Sequence, residues 1–119
     1  MVREIRRRWR DYRTATGKRP VKEFISALSN DDQTEITAAM KDVTDYGLSM
    51  ARHVRGEIYE VRASGVQQEY RVLFAVEGAR SQILLSLEAF SKKTQKTPPP
   101  KIQLAERRLR DWRRRGRKR

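Results

Sequence analysis

Residues 57–97 contain three apolar segments, separated by Gly65 and Gly78, and the last segment leads into the basic run SKKTQKT at 91–97. Apolar residues at every second position indicate strands that pack one face against a hydrophobic core. Short links that contain glycine indicate hairpins between such strands. The stretch therefore predicts a three-stranded antiparallel meander. It ends in a basic, hydroxyl-rich exit of a kind that can hold a phosphate backbone.

Each of the three strands has a predicted pattern of faces. In the first strand one face carries Tyr59, Val61 and Ala63, and the other carries Glu60 and Arg62. In the second strand one face carries Tyr70, Val72, Phe74 and Val76, and the other carries Arg71, Leu73 and Ala75. The third strand is apolar on both faces, with Ile83, Leu85 and Leu87 opposite Leu84 and Phe90. A strand that is apolar on both faces is expected in the middle of a sheet.

The chain before the meander predicts one strand and two helices. Alternation over residues 5–12 indicates an arginine-rich edge strand, where charge discourages pairing with another molecule. Apolar residues at helical spacing predict a helix over 20–28, which starts at Pro20, and a second that ends at Gly47. Polar capping residues at 29–32 separate the two helices. Residues 48–56 are predicted to be a connector.

After the meander, three prolines at 98–100 open a last helix with an apolar stripe that ends at Trp112. Residues 113–119 contain one uncharged residue, Gly116, and like-charge repulsion predicts a disordered tail there. The fold class is therefore α+β, with a single domain over 1–112 and a basic tail over 113–119. In this domain an N-terminal edge strand and a two-helix hairpin pack on the three-stranded meander, and a C-terminal helix follows.

The net charge of +13 is concentrated at the two ends of the chain. Residues 101–119 carry a net charge of +8 and residues 1–13 carry +4, so the remaining 87 residues carry about +1. Such basic regions favour a polyanionic partner, because contacts with phosphate groups release condensed counterions. We expect nucleic acid or an acidic protein, with a solubilising tail as the alternative.

Several classes of protein are disfavoured by what the sequence lacks. There is no cysteine for a disulfide or a thiolate metal site, and His53 is the only histidine. P-loop, GxGxxG and HExxH motifs are absent, so we expect no cofactor and no metal. Three arginines at 6–8 interrupt any apolar segment of a signal peptide, and no apolar run approaches the roughly 20 residues that span a bilayer. A cytoplasmic protein without a membrane partner is expected.

Arginine, lysine and hydroxyl groups still suit one reaction. RNA carries its own nucleophile, the 2′-hydroxyl, so cleavage requires positioning, charge stabilisation and proton transfer without an obligatory metal. Arg62 and Arg71 lie on neighbouring predicted strands, both on the face away from the two-helix hairpin, and Lys92, Lys93 and Lys96 follow the third strand. Spacing alone favours the alternative of exposed arginines beside a solvated loop.

The segments YRTATGKRPVKEFI (12–25), IYEVRA (58–63), EYRVLF (69–74) and FSKKTQKTP with IQLAERRLRDW (90–98, 102–112) together resemble the RelE/ParE superfamily of toxins. The most similar branch is the HigB-like, phage-derived toxins of type II toxin–antitoxin systems. The resemblance extends from about Tyr12 to Trp112. FSKKTQKTP before an amphipathic helix is its most specific part.

The resemblance implies an mRNA endoribonuclease that acts on ribosome-bound messages and inhibits translation. Its implied partners are mRNA, the ribosome and a cognate helix-turn-helix antitoxin, with operator DNA bound only through the antitoxin complex. Arg71 is then expected to hold the scissile phosphate. Arg62, Lys92 and Lys93 match other basic positions near the cleavage groove.

Two departures from the family pattern matter. The segment GVQQE lengthens the first hairpin, and Leu87-Glu88-Ala89-Phe90 replaces the LHGF that many relatives carry. Glu88 is therefore a further catalytic candidate as an acid or base, although it could equally orient Arg71 or Arg62. We expect His53 to be a loop residue, Tyr70 and Phe74 to be core residues and Trp112 to anchor the last helix.

Three functional hypotheses remain open at this point. The first is the mRNA endoribonuclease, with Lys96, Arg107 and Arg108 as further RNA-binding residues. The second is a ParE-like toxin that poisons gyrase without cutting RNA. The third is a non-enzymatic nucleic-acid-binding module, which the basic tail supports.

Overall fold

The computed structural model describes residues 6–92 and 96–116, in which helices and strands form the predicted α+β class. In these ranges three α-helices accompany a five-stranded mixed sheet. The strands are β1 (Arg8–Asp11), β2 (Arg52–Arg55), β3 (Ile58–Ser64), β4 (Glu69–Glu77) and β5 (Ile83–Ser91). The helices are α1 (Pro20–Ser26), α2 (Asn30–Tyr46) and α3 (Pro99–Gly116), with a short 3-10 turn at Leu48–Met50.

The predicted two-helix hairpin is confirmed, together with its boundary signals. Pro20 occupies the first turn of α1, where a missing N–H costs nothing. The Ser29 hydroxyl caps α2 by accepting a hydrogen bond from the Asp32 N–H at 3.2 Å. Gly47 ends α2 with a φ of 87°, a conformation that glycine adopts without a steric penalty.

The strands are arranged in the order β1-β5-β4-β3-β2. The meander β3-β4-β5 is antiparallel as predicted, and β1 is an edge strand that pairs with β5 in parallel. The predicted connector at 48–56 is wrong in part, because Arg52–Arg55 pairs with β3 as the strand β2. Three of these four residues are charged or histidine, so hydrophobic alternation gave no sign of a strand.

One face of the sheet packs against α1 and α2. Trp9 of β1 contributes to this core from the side, and its ring meets Phe74 edge to face at 5.0 Å between centroids. The fully or largely buried members of this core are Val21, Ile36, Val43, Val61, Ala63, Tyr70, Val72, Phe74, Leu84 and Ala89. The predicted face of β3 and β4 is therefore correct.

The opposite face packs against α3. It carries Arg62 and Arg71, as their parity predicted, but the alternative of two exposed arginines is wrong because Arg71 is buried. Ala105 and Leu109 of α3 lie against Leu73, Ala75, Leu85 and Leu87 of the sheet. Arg71, which shares this face, is only 3% exposed. The C-terminal helix thus makes a second core, and the arginines lie at its margin.

A β-bulge in β5 changes the predicted faces of that strand. Leu73 is opposite Glu88, whereas the next residue of β4, Phe74, is opposite Ser86, so Leu87 is the extra residue. Phe90 therefore joins the α3 core with Leu87, and our prediction that it faces away from Leu87 is wrong. The bulge also turns Glu88 toward α3.

The C-terminal helix is longer than the predicted boundary at 112. It continues to Gly116, so residues 113–116 are helical, and residues 117–119 of the predicted tail lie outside the described ranges. Arg113 forms paired contacts with Glu57 at 2.8 Å and with Glu77 at 2.6 and 3.0 Å. These ion pairs, with Glu57 just before β3 and with Glu77 at the end of β4, offset the like-charge repulsion that predicted disorder.

Candidate functional site: an arginine cluster around Glu60

Arg62 and Arg71 lie directly opposite each other on β3 and β4. In an antiparallel pair such residues share a face with Cβ atoms about 4.5–5.5 Å apart, and like charges there repel. Hydrophobic alternation places both arginines on the α3 face, because Val61 and Val72 occupy the other. The structure therefore brings together the two arginines that the sequence singled out.

Glu60 is the carboxylate that stabilises this pair. Its side chain is fully buried, and its Oε1 accepts a hydrogen bond from Arg62 Nε at 2.7 Å. Its Oε2 lies 3.9 Å from Arg71 Nη1 and accepts a hydrogen bond from the Thr97 hydroxyl. Burying a carboxylate is costly unless it is paired and hydrogen-bonded, and both of its oxygens meet that condition here.

Thr97 joins the cluster from the segment that enters α3. Its hydroxyl accepts a hydrogen bond from Arg71 Nη1 at 3.3 Å while it donates to Glu60. Burial lowers the pKa of Arg71, and Glu60 partly opposes the shift. A guanidinium nevertheless stays charged at neutral pH, so Arg71 is a buried positive charge.

A small pocket of 210 Å³ opens beside the cluster, and Thr97 forms part of its wall. Two further cations contribute to it, Arg52 from β2 and Lys96 from the segment before Thr97. Arg52 is opposite Glu60 in the sheet, and its charge also lowers the pKa of Arg71. The pocket therefore has a positive rim next to Arg62 and Arg71.

The lysines of the basic run are only partly described. Lys92 lies beside the start of β4, where its backbone N–H donates to the Glu69 carbonyl at 2.8 Å. Lys96 is exposed. Lys93, a predicted catalytic residue, lies outside the described residues.

Glu88 lies in a different part of the same face, under α3. Its carboxylate receives Lys101 Nζ at 2.8 Å and Arg108 Nη1 at 3.2 Å. Arg108 also donates to the Leu87 carbonyl at 2.8 Å, so its guanidinium is engaged within the fold. These contacts attach α3 to β5, whereas Arg107 is exposed on the outer surface of the helix.

The remaining candidates occupy structural positions. His53 lies on β2 rather than in a loop, with its Nε2 at 2.7 Å from the Gly56 carbonyl and its ring edge-on to Tyr59. Tyr70 is a core residue as predicted, and its hydroxyl donates to Asp32, which also accepts the Val66 N–H at 2.9 Å. That contact holds the lengthened β3–β4 loop against α2.

Sequence reasoning missed Glu60, Thr97 and Arg52 as members of the site. A signal for Glu60 was present, because residues two apart on a strand share a face, which places Glu60 beside Arg62. Thr97 gave no such signal, since its contact depends on how the chain turns into α3. Arg52 was missed together with the strand that carries it.

Two features are absent from the described residues. Within residues 6–92 and 96–116, no group of three or more His, Cys, Asp or Glu side chains is arranged to hold a metal ion. No helix in the same ranges is long and apolar enough to cross a membrane.

Comparison with known proteins agrees with the resemblance noted in the sequence. Residues 23–110 match the family model described as phage derived protein Gp49-like (DUF891). Two curated relatives, from the CDC 1551 / Oshkosh and the ATCC 25618 / H37Rv strains of Mycobacterium tuberculosis, are each named "Probable endoribonuclease HigB1". Each is 34% identical over 109 residues, which cover 89% of this chain and 85% of the relative. The predicted HigB-like, phage-derived relationship is confirmed, and the chain belongs to the Gp49-like family.

Proposed function

We propose that this protein is the toxin of a type II toxin–antitoxin pair and cleaves mRNA, with the ribosome as the setting of the reaction. The observation that carries the proposal is the arrangement of Arg62 and Arg71 around the buried Glu60, beside a pocket rimmed by Arg52 and Lys96. The name of the HigB1 relatives supports the same reaction class.

The proposed chemistry uses the RNA 2′-hydroxyl as the nucleophile. Its oxygen attacks the adjacent phosphorus and loses its proton, and the 5′-oxygen of the next nucleotide leaves and gains a proton. The products are a 2′,3′-cyclic phosphate and a 5′-hydroxyl, and no oxidant or metal enters the balance. Negative charge grows on the phosphate oxygens in the transition state, where preorganised donors are most effective.

Arg62 is the arginine that we assign to direct contact with the phosphate. About a third of its side chain (32%) is exposed, whereas Arg71 lies beneath Thr97. A planar guanidinium group can donate two parallel hydrogen bonds to phosphate oxygens. The buried positive charge of Arg71 nearby adds to the electrostatic attraction for the phosphate. The RNA backbone is then bound by the basic residues Lys92, Lys93, Lys96 and Arg107. Glu88 and Arg108 support the fold.

An antitoxin partner and translation inhibition complete the proposal. The resemblance of this chain to HigB-like toxins supports a cognate helix-turn-helix antitoxin that neutralises the toxin. We expect growth arrest when the toxin alone is induced, and restored growth when a helix-turn-helix protein encoded beside it is induced at the same time.

The decisive experiment removes each arginine separately. We expect Arg62→Ala and Arg71→Ala each to lower cleavage by roughly 10²–10³-fold, because each removes a preorganised charge at the transition state. Cleavage is measured by primer extension on messages after induction, together with growth. Arg71→Lys keeps the buried positive charge but lacks the planar guanidinium group. It therefore distinguishes loss of the guanidinium geometry from loss of folding.

Arg80→Ala is the matched control. Arg80 is exposed in the turn after β4, at the opposite end of the sheet from Arg71. Discrete mRNA cuts at the wild-type level from a folded Arg62→Ala variant would overturn the proposed site. Growth arrest by the wild type without any mRNA cut would instead support the gyrase-poisoning alternative.

A further inference from the structure

We infer that Glu60 and Thr97 are positioning residues that set the two arginines for RNA cleavage, an inference that rests on the proposed function. Neither residue is expected to touch RNA, because both are buried. They act through Arg62 and Arg71, to which they are hydrogen-bonded or ion-paired.

Glu60 fixes the direction of Arg62. The carboxylate contacts Nε of Arg62 at 2.7 Å, so it holds the guanidinium by the edge nearest the strand. Because the guanidinium is planar, one such bond restricts the direction in which the rest of the group points. A restricted arginine loses less rotamer entropy when it binds a phosphate.

Thr97 fixes Arg71 in a different way. Its hydroxyl accepts from Arg71 Nη1 and donates to Glu60, and these two bonds connect the carboxylate to the arginine that lies 3.9 Å from it. A hydroxyl group can donate and accept through one atom, which an aliphatic side chain of the same shape cannot do. The connection also joins the entrance of α3 to the sheet.

The charge balance explains why the cluster is suited to an anion. Besides burial, repulsion from Arg62 and Arg52 lowers the pKa of Arg71, whereas the carboxylates of Glu60 and Glu69 raise it. The three arginines outnumber these two carboxylates, so the cluster keeps an excess of positive charge. A phosphate of RNA would supply a further negative charge at the exposed side of Arg62.

Thr97→Val and Thr97→Ser form the pair that tests this inference. Valine keeps the shape of threonine and loses the hydroxyl, whereas serine keeps the hydroxyl and loses a methyl group. We expect Thr97→Val to lower kcat by about 10–100-fold with KM within about 3-fold of wild type, since misplacement of a catalytic group by a fraction of an ångström is enough for such a loss. Thr97→Ser is expected to stay within about 3-fold of wild type in both constants.

A second measurement does not depend on cleavage. The Nε–Hε signals of Arg71 and Arg62 in NMR spectra report how each guanidinium is held, and we expect Thr97→Val to shift them and hasten their exchange with water. Thr97→Ser should leave them near their wild-type positions. If serine is as harmful as valine, or if valine changes kcat and leaves the arginine signals unaltered, the inference is overturned.

Failure of the proposed function and failure of the positioning role can be distinguished. If wild-type protein cuts no RNA, the proposed function fails, while the arginine spectra of the two variants still decide whether Thr97 positions Arg71. If wild-type protein cuts RNA and Thr97→Val cuts it equally well, the proposed function stands and the positioning role is wrong.

Discussion

Two carboxylates, Glu60 and Glu88, are buried on the same face of the sheet, and they differ in the cations that surround them. Glu60 is paired within the sheet and with Thr97, and its cations are Arg62 and Arg71. Glu88 is paired with Lys101 and Arg108, both from α3. A buried carboxylate is therefore defined by its partners: Glu88 docks a helix, whereas Glu60 organises the arginines of the candidate site.

The cations around Glu88 also bear on its two hypothetical roles. The sequence left open whether this residue acts as an acid or base or orients an arginine. Both oxygens of its carboxylate receive cations from α3, and Oε1 also accepts the Ala89 N–H at 3.1 Å. We therefore propose a supporting role for Glu88 and transfer the orienting role to Glu60.

Glu60→Gln should produce the largest effect among the tests of this comparison. The amide keeps the size of the side chain and removes the charge that offsets Arg71, so we expect cleavage to fall about 100-fold. Because the buried arginine then lacks its counter-charge, the free energy of unfolding should also fall, by about 3 kcal/mol. Single-turnover cleavage of ribosome-bound mRNA and urea denaturation measure the two effects.

If folded Glu60→Gln cuts mRNA at the wild-type rate, Glu60 does not organise the arginines for cleavage. Binding to an RNA with a 2′-deoxy substitution at the cleavage site separates affinity from chemistry. That binding should stay within about 3-fold of wild type, because the exposed cations that meet the backbone are unchanged.

Glu88→Gln should lower the stability of the fold and leave cleavage nearly unchanged. Lys101 has 39% of its side chain exposed and retains access to water when its partner is lost, so the penalty is smaller than at Glu60. We expect the free energy of unfolding to fall by about 1–2 kcal/mol and cleavage of folded protein to stay within about 3-fold. A 100-fold loss of cleavage without loss of stability would restore Glu88 as a catalytic residue.

The fold was largely predictable, because its determinants are local. Helical spacing, Pro20, Ser29 and Gly47 define α1 and α2, and alternation defines β3 and β4. Prediction failed at β2, where charged residues hide the pattern, and at Leu87, where one extra residue moves Phe90 to the other face. A bulge depends on the match between two strands, which neither strand reveals alone.

Three members of the site were predicted from the sequence, Arg62, Arg71 and Lys96, whereas the cation Arg52 was missed together with β2. Arg62 and Arg71 follow from parity and register, since both are out of phase with the apolar face. Glu60 shares the parity of Arg62 on β3, but its burial and the position of Thr97 depend on the docking of α3, which closes over that face from a segment distant in sequence. Such long-range contacts have no periodic signature, so the sequence suggested open arginines where the structure has an enclosed cluster.

Lowering the pH should produce the smallest change in stability among these tests. It shows whether ion pairs other than those of Glu88 also hold α3 on the sheet. Hydrogen bonds from Arg113 lower the pKa of Glu57, and those from Arg55 lower the pKa of Glu106. A carboxylate with a lowered folded-state pKa stabilises the fold above its unfolded pKa, about 4.3 for Glu, and the stabilisation is lost as pH falls through the folded value. Stability should therefore decrease below about pH 4.

The double variant Glu57→Gln/Glu106→Gln removes these titrating groups. We expect it to be slightly less stable than wild type at pH 6 and to lose less stability between pH 6 and pH 3, measured by urea denaturation at each pH. Both pairs are partly exposed, so 1 M salt should reduce the difference. Equal losses in the two proteins would mean that the pairs of Glu57 and Glu106 do not hold α3, and that its docking depends on the apolar contacts of Ala105 and Leu109 together with the ion pairs of Glu88 and Glu77.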